Sequence, residues 1–210
     1  MEPFARLQPS KMVPPLRMGT VGGPCWRLCD QKPKHFTLVL FYRGYHCRFC
    51  KEQLQEMESR YDDFHKLGVR VLAVSTDTKE RAELMVEEWG IDKLTVCYGL
   101  TLDQARQWGL YVSKGLGMNA RGIIEPDFFV EPAMFLVRPD GTLFSGIVQT
   151  MPVGRPRLED LLRGLEYVIT TGMEPRGTYD GTGAPAAPRA VEEDCLCQAE
   201  AHSELRSSTA

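Results

Sequence analysis

Two cysteines separated by two residues, Cys47-Arg48-Phe49-Cys50, can do thiol chemistry that neither could do alone. They follow a continuous apolar and β-branched run at 36–42 and precede a segment with Leu54, Met57, Tyr61 and Phe64 on one helical stripe. A thiol placed where a strand turns into a helix faces backbone N–H groups without intrahelical partners and the positive end of the helix dipole, which favours its thiolate. Cys47 is in that place and is the predicted nucleophile. Cys50 lies one turn further in, less exposed and within reach of a sulfur bound to Cys47, so it is the predicted resolving thiol. Arg43, His46 and Arg48 flank the pair. A cation there stabilises the thiolate, favouring the reduced form and a less negative reduction potential.

The same spacing also supplies half of a zinc site, which then needs a second pair. The other cysteines are Cys25 and Cys29 with three residues between them, a lone Cys97, and Cys195 and Cys197 near the end of the chain. A four-cysteine site from Cys25, Cys29, Cys47 and Cys50 is the alternative, although its spacing is uneven. Cys97, inside an apolar run, reads as a small core residue. Cys195 and Cys197 read as incidental, or as a relay that reaches the active pair.

The elements that must position the pair follow from hydrophobic period. The run at 36–42 suits a strand buried on both faces, and the amphipathic stripe after it a helix ending at Leu67-Gly68. Residues 69–75 form a second strand, and Asp77 or Thr78 caps a helix from Lys79 to Trp89, with Gly90 as its stop. A third strand at 94–98 and a helix at 102–111 complete a β-α-β-α order that indicates a largely parallel sheet. Trp89 and Trp108 read as packing residues. Residues 112–130 form a Gly- and Pro-rich loop long enough to close over a site. Strands at 133–137 and 142–148 flank a Pro139-Asp140-Gly141 turn and add an antiparallel hairpin. A last helix spans 157–170, ahead of Gly172. There is no internal repeat.

Composition narrows the function classes. The 210 residues carry 25 Lys plus Arg against 28 Asp plus Glu, a net charge of -3, which gives no general basic field for nucleic acid. With 43% hydrophobic residues the chain can bury a sizeable core, and no stretch is long and apolar enough to cross a bilayer. The first residues lack the basic start and apolar run of a secretory signal. The expectation is a cytoplasmic protein with reduced thiols and neither nucleic acid nor membrane as partner.

Strand 38–42, then Tyr45-His46-Cys47-Arg48-Phe49-Cys50-Lys51, then Glu131-Pro132-Ala133-Met134-Phe135-Leu136-Val137, resemble the thioredoxin superfamily. Met151-Pro152-Val153-Gly154-Arg155 is similar to the Pro-Val-Gly-Arg segment that leads into the last helix of its peroxiredoxin-like (AhpC/TSA, redoxin) branch. The resemblance covers roughly residues 35 to 170. It implies an α/β fold, a thioredoxin-like three-layer α/β/α sandwich with a central mixed β-sheet, placed in a domain at 35–172. An irregular arm at 1–34 precedes this domain, and a tail at 173–210, too poor in large apolar residues to pack, follows it. The resemblance further implies that Pro132 is a cis-proline packed on the cysteine pair, its backbone pairing with substrate.

Departures from the family patterns bear on the activity. The peroxiredoxin motif Pro-x-x-x-Thr-x-x-Cys has Leu40 and Gly44 at its Pro and Thr positions here, and Pro132 stands where that branch supplies an arginine. Arg43 is then the one candidate to polarise a peroxide. Thioredoxin's Trp, Gly-Pro and buried acid are replaced by His46, Arg48-Phe49 and Phe41. That leaves His46 as the side chain near Cys50 that titrates around neutral pH. The expected function is a thiol-disulfide oxidoreductase. Its alternative is a thiol peroxidase working through a Cys47 sulfenic acid, and a second alternative is a non-catalytic redox-sensing or zinc-binding module. The cycle needs no bound cofactor. Its partners are a disulfide-containing protein, a small disulfide or a peroxide, together with a thiol reductant of the thioredoxin-like or glutathione type. A homodimer is expected from the resemblance alone.

Overall fold

In the computed structural model, which describes residues 6–179, the apolar run before the cysteines is β3 (Phe36–Phe41), and all six of its residues are buried. It pairs in parallel with β4 (Val69–Val74) and antiparallel with β8 (Ala133–Val137), so both of its edges are satisfied. β5 (Thr95–Tyr98) continues the parallel side and β9 (Leu143–Val148) the antiparallel side. The sheet is completed by β1 (Arg17–Thr20) and β2 (Gly23–Arg27), giving the order β2-β1-β5-β4-β3-β8-β9. Mixed pairing follows from the connections, because helical crossovers return strands in parallel and the turn at Gly141, with φ of 85°, returns β9 antiparallel.

Alternation along β3 divides the core into two layers. Leu38 and Leu40 face α1 (Arg48–Ser59), α2 (Tyr61–Lys66), α3 (Lys79–Trp89) and α5 (Leu158–Thr171), through Leu54, Met57, Phe64, Met85 and Leu162 among others. Val39 and Phe41 face the opposite layer, which holds α4 (Leu102–Gln107), Trp108 and the N-terminal residues Val13, Leu16 and Met18. The result is the α/β, three-layer arrangement around a mixed sheet. Trp89 and Trp108 are buried in it, as their positions suggest.

Four local expectations change. The lead-in contains a β-hairpin joined to the sheet through β1 and β5, because Leu16 and Met18 are buried there and Gly22, at φ 67°, closes the turn. The strands are so short, and so crowded with Gly and Pro, that no period shows in sequence. The helix after the cysteines breaks at Arg60 (φ -107°, ψ 14°), where Ser59 Oγ donates to the Glu56 carbonyl. α4 stops at Gln107, short of 111, as Gly109 takes φ 65°. Residues 173–178 run against the domain, with Pro175 buried and Gln8 Nε2 donating to the Thr178 carbonyl. Cys195 and Cys197 lie outside the described residues.

Candidate active site

Beyond β3 the chain makes a tight turn through Arg43-Gly44-Tyr45-His46 that delivers Cys47 to the start of α1. The buried Asp77 carboxylate fixes this turn, accepting from Tyr45 N at 2.7 Å and from Arg81 Nε at 3.0 Å. Burial pushes the Asp77 carboxyl upward against those donors. Gly44 has φ of 124°, and a Cβ on it would lie 2.7 Å from Asp77 Oδ2. Asp77 therefore occupies the space that a side chain at 44 would take.

Cys47 caps α1 with extended backbone (φ -96°, ψ 111°), and its carbonyl accepts from Cys50 N and Lys51 N, both at 3.1 Å. Its side chain makes no capping hydrogen bond but sits at the N-terminal end of α1, where the positive end of the helix dipole favours a thiolate. Cys47 is 3% exposed and Cys50 fully buried. The Cys47 thiol is drawn down to about 6, first by a hydrogen bond from the Cys50 thiol, then by the Cys50 backbone N–H and the Arg155 and Arg43 guanidiniums, all acting against burial. The Cys50 thiol is driven well up, by its own burial and by the negative charge forming on Cys47. One sulfur is therefore prepared as thiolate and the other as proton-bearing thiol.

The guanidinium nearest the two sulfurs belongs to Arg155, which no spacing around the cysteine pair marks. Its Nη2 lies 3.1 Å from Cys50 Sγ and 4.0 Å from Cys47 Sγ. Its Nε donates to the Pro152 carbonyl at 2.8 Å and its Nη1 to Gln53 Oε1, on the same helix as the cysteines. Phe49, Gln53, Val153, Arg155 and Pro156 line a cavity of about 250 Å³ at this edge. The signal was present in the Pro-Val-Gly-Arg segment, but 105 residues separate Arg155 from Cys50, and only the fold closes that distance.

The flanking residues divide. Arg43 is partly buried, stacks 4.6 Å over Phe129 and acts on the Cys47 thiolate. Arg48 turns to solvent, pairs with Glu52 at 3.1 Å and lies over the Phe49 ring, so it is not one of the cations at Cys47. The reason is helical geometry: the first helical residue after the cap points away from the cap's side chain. His46 also corrects an expectation. Its side chain is 1% exposed, packs 4.6 Å from the Phe129 ring, and has its pKa lowered to about 4 by burial and by Arg43. It is neutral around pH 7 and exchanges no proton there. Pro132 has a trans peptide bond, is buried, and accepts from Gln149 N at 3.2 Å, so it extends the β8–β9 pairing. The implied cis-proline is therefore absent.

The loop at 112–130 is tied to the turn that carries Cys47. β6 (Val112–Lys114) and β7 (Phe128–Val130) pair at its base, Asn119 Nδ2 donates to the His46 carbonyl at 2.9 Å, and Arg81 Nη1 donates to the Ile124 carbonyl at 3.1 Å. The four-cysteine zinc arrangement is not assembled. Cys25 sits exposed on edge strand β2, with three strands between it and β3, and Cys29 is exposed beyond it. Among the described residues no three metal-ligating side chains cluster. Cys97 is buried in β5 with its thiol pushed up to about 12 by burial, in keeping with a core residue.

Similarity to known proteins converges on one family. The AhpC/TSA family model matches residues 9–145. The chain is 27% identical over 156 residues to the putative peroxiredoxin YkuU of Bacillus subtilis, covering 72% of this chain and 81% of that one. It is 24% identical over 140 residues to alkyl hydroperoxide reductase C of Staphylococcus aureus, covering 63% and 67%. Among solved structures, reduced 2-Cys peroxiredoxin of Plasmodium vivax superposes with a TM-score of 0.63 at 17% identity, covering 80% of this chain and 84% of that one, a likeness of fold.

Proposed function

Since the chain belongs to the AhpC/TSA family, a family of thiol-dependent oxidoreductases, we propose that it is a thiol peroxidase in which Cys47 reacts with peroxide and Cys50 completes the cycle. The observation that carries this reading is Arg155 against both sulfurs. A fixed guanidinium there stabilises the attacking thiolate and the charge that develops on the departing oxygen. The Cys47 thiolate attacks one peroxide oxygen, the O–O bond breaks, and Cys47 becomes a sulfenic acid while the other oxygen leaves as alkoxide or hydroxide and takes a proton. Cys50 then attacks the sulfenic sulfur. Its thiol proton and the sulfenic hydroxyl depart as water, leaving a Cys47–Cys50 disulfide, which an external dithiol reduces by accepting the oxidation itself. No bound cofactor enters these steps.

Thiol-disulfide exchange is the second reading, supported by Gly44, which offers no hydroxyl where the family motif carries threonine. Mass spectrometry after stoichiometric hydrogen peroxide separates the two. The peroxidase reading expects a Cys47–Cys50 disulfide in the wild type and a dimedone-trapped sulfenic acid on Cys47 in Cys50→Ser. Slow, unselective oxidation spread over the exposed Cys25 and Cys29 would remove it.

A further inference from the structure

Glu131 is a buried carboxylate for which the proposed cycle has no task. It follows β7 directly, is 5% exposed, and its backbone N donates to the Tyr111 carbonyl at 2.8 Å. Ser113 Oγ, on β6, donates to its Oε1 at 2.5 Å. Its Oε2 lies 3.4 Å from Arg43 Nε, an ion pair without a well-formed hydrogen bond. The Phe129 ring braces Arg43, at 4.6 Å from the guanidinium carbon, so the cation is held even apart from the carboxylate.

The two guanidiniums at the active cysteines are therefore unequal. Arg155 has no carboxylate partner among the described residues, and Arg43 has one. The other ionisable groups of this neighbourhood, among the described residues, include Arg81, which pairs with Asp77 at 3.0 Å and also acts on His46. Neutral His46 and the Glu125 carboxylate, 4.0 Å from His46 Nε2, lie on the Arg43 side; Cys50 is on α1, and Tyr42 and Asp77 lie beyond it. Among the described carboxylates, Glu131 alone pairs with a cation that acts on Cys47.

We propose that Glu131 is a positioning residue that sets the acidity of Cys47 through Arg43, by cancelling part of the charge that Arg43 presents to the thiolate. This rests on Cys47 being the nucleophile, whichever oxidant it meets. A carboxylate anchored to the loop at 112–130 by Ser113 thus keeps the nucleophile less acidic than two unopposed guanidiniums would. Glu131→Gln preserves the shape and an acceptor for Ser113 while removing the charge, so it isolates this effect from packing.

The test is a pH titration of thiolate ultraviolet absorbance in the reduced parent protein, Glu131→Gln, Arg43→Met and the double variant, each in a background with Cys25, Cys29, Cys195 and Cys197 replaced by Ser. Glu131→Gln is expected to lower the Cys47 pKa by about half a unit to one unit. Arg43→Met is expected to raise it, and the Glu131→Gln shift should shrink by at least about half when Arg43 is absent. An unchanged or raised pKa in Glu131→Gln overturns the proposal, as does a shift of full size in the double variant. Should Glu131→Gln not fold, Ser113→Ala takes its place. Loss of the Ser113 hydroxyl leaves the carboxylate to Arg43 alone and should raise the Cys47 pKa, so an unchanged or lowered value overturns the proposal there. Absorbance reports acidity without peroxide turnover, so failure here is distinguishable from failure of the peroxidase reading.

Discussion

The asymmetry between Cys47 and Cys50 comes from one backbone position: the first caps α1 and the second sits a turn inside it. The Cys47 pKa, drawn to about 6, makes its alkylation by iodoacetamide rise with pH through a midpoint near that value and then level off. The sign follows from the thiolate being the reactive form, so acid slows the reaction. Replacing Arg155 with Met removes a donor from both sulfurs and should move this midpoint upward, whereas Arg48→Ala should leave it in place. The CxxC spacing and its strand-helix setting made both cysteines legible in sequence. Arg155 was legible only as a family mark, because contact between residues so far apart depends on the complete sheet. His46 and Arg48 depart from expectation for a common reason: adjacency in sequence does not say whether a side chain points inward to a desolvated pocket or outward to water.

The turn from β3 into α1 is positioned by an element distant in sequence, since Asp77 follows β4 and holds Tyr45 N. Gly44→Ala would set a Cβ against that carboxylate in a backbone region unfavourable to L-residues, and should cost about 1–3 kcal/mol in urea unfolding. Equal stability of the variant would show that the turn relaxes freely. The loop at 112–130 is held by side chains, chiefly Asn119 on the His46 carbonyl. Asn119→Ala should raise hydrogen exchange across 115–127 while leaving β3 and β4 protected. Strong apolar periods fixed β3, β4, α3 and α5 within a residue or two from sequence. The break at Arg60 and the β6–β7 pairing left no such trace, because backbone and side-chain hydrogen bonds decide them rather than hydrophobic burial.

Across the domain, two apolar layers enclose a sheet whose edge is made by residues that composition alone places outside the core. Leu16 and Met18 are 2% and 3% exposed. Removing residues 1–34 should therefore expose β5 and the layer around Trp108, seen as loss of cooperative unfolding or as insoluble protein. A truncated chain of unchanged stability would contradict that. The Gly-Pro content that suggested an irregular arm reflects the hairpin turn, and the two strands are too short for alternation to register. The most direct test of the peroxidase reading is stopped-flow mixing of the fully reduced protein with hydrogen peroxide, comparing wild type, Arg155→Met and Cys47→Ser. The geometry predicts oxidation of wild type orders of magnitude faster than a free thiolate, a drop of about 100-fold in Arg155→Met, and no fast phase in Cys47→Ser. A wild-type rate equal to that of an ordinary thiolate, unaffected by Arg155, would contradict it.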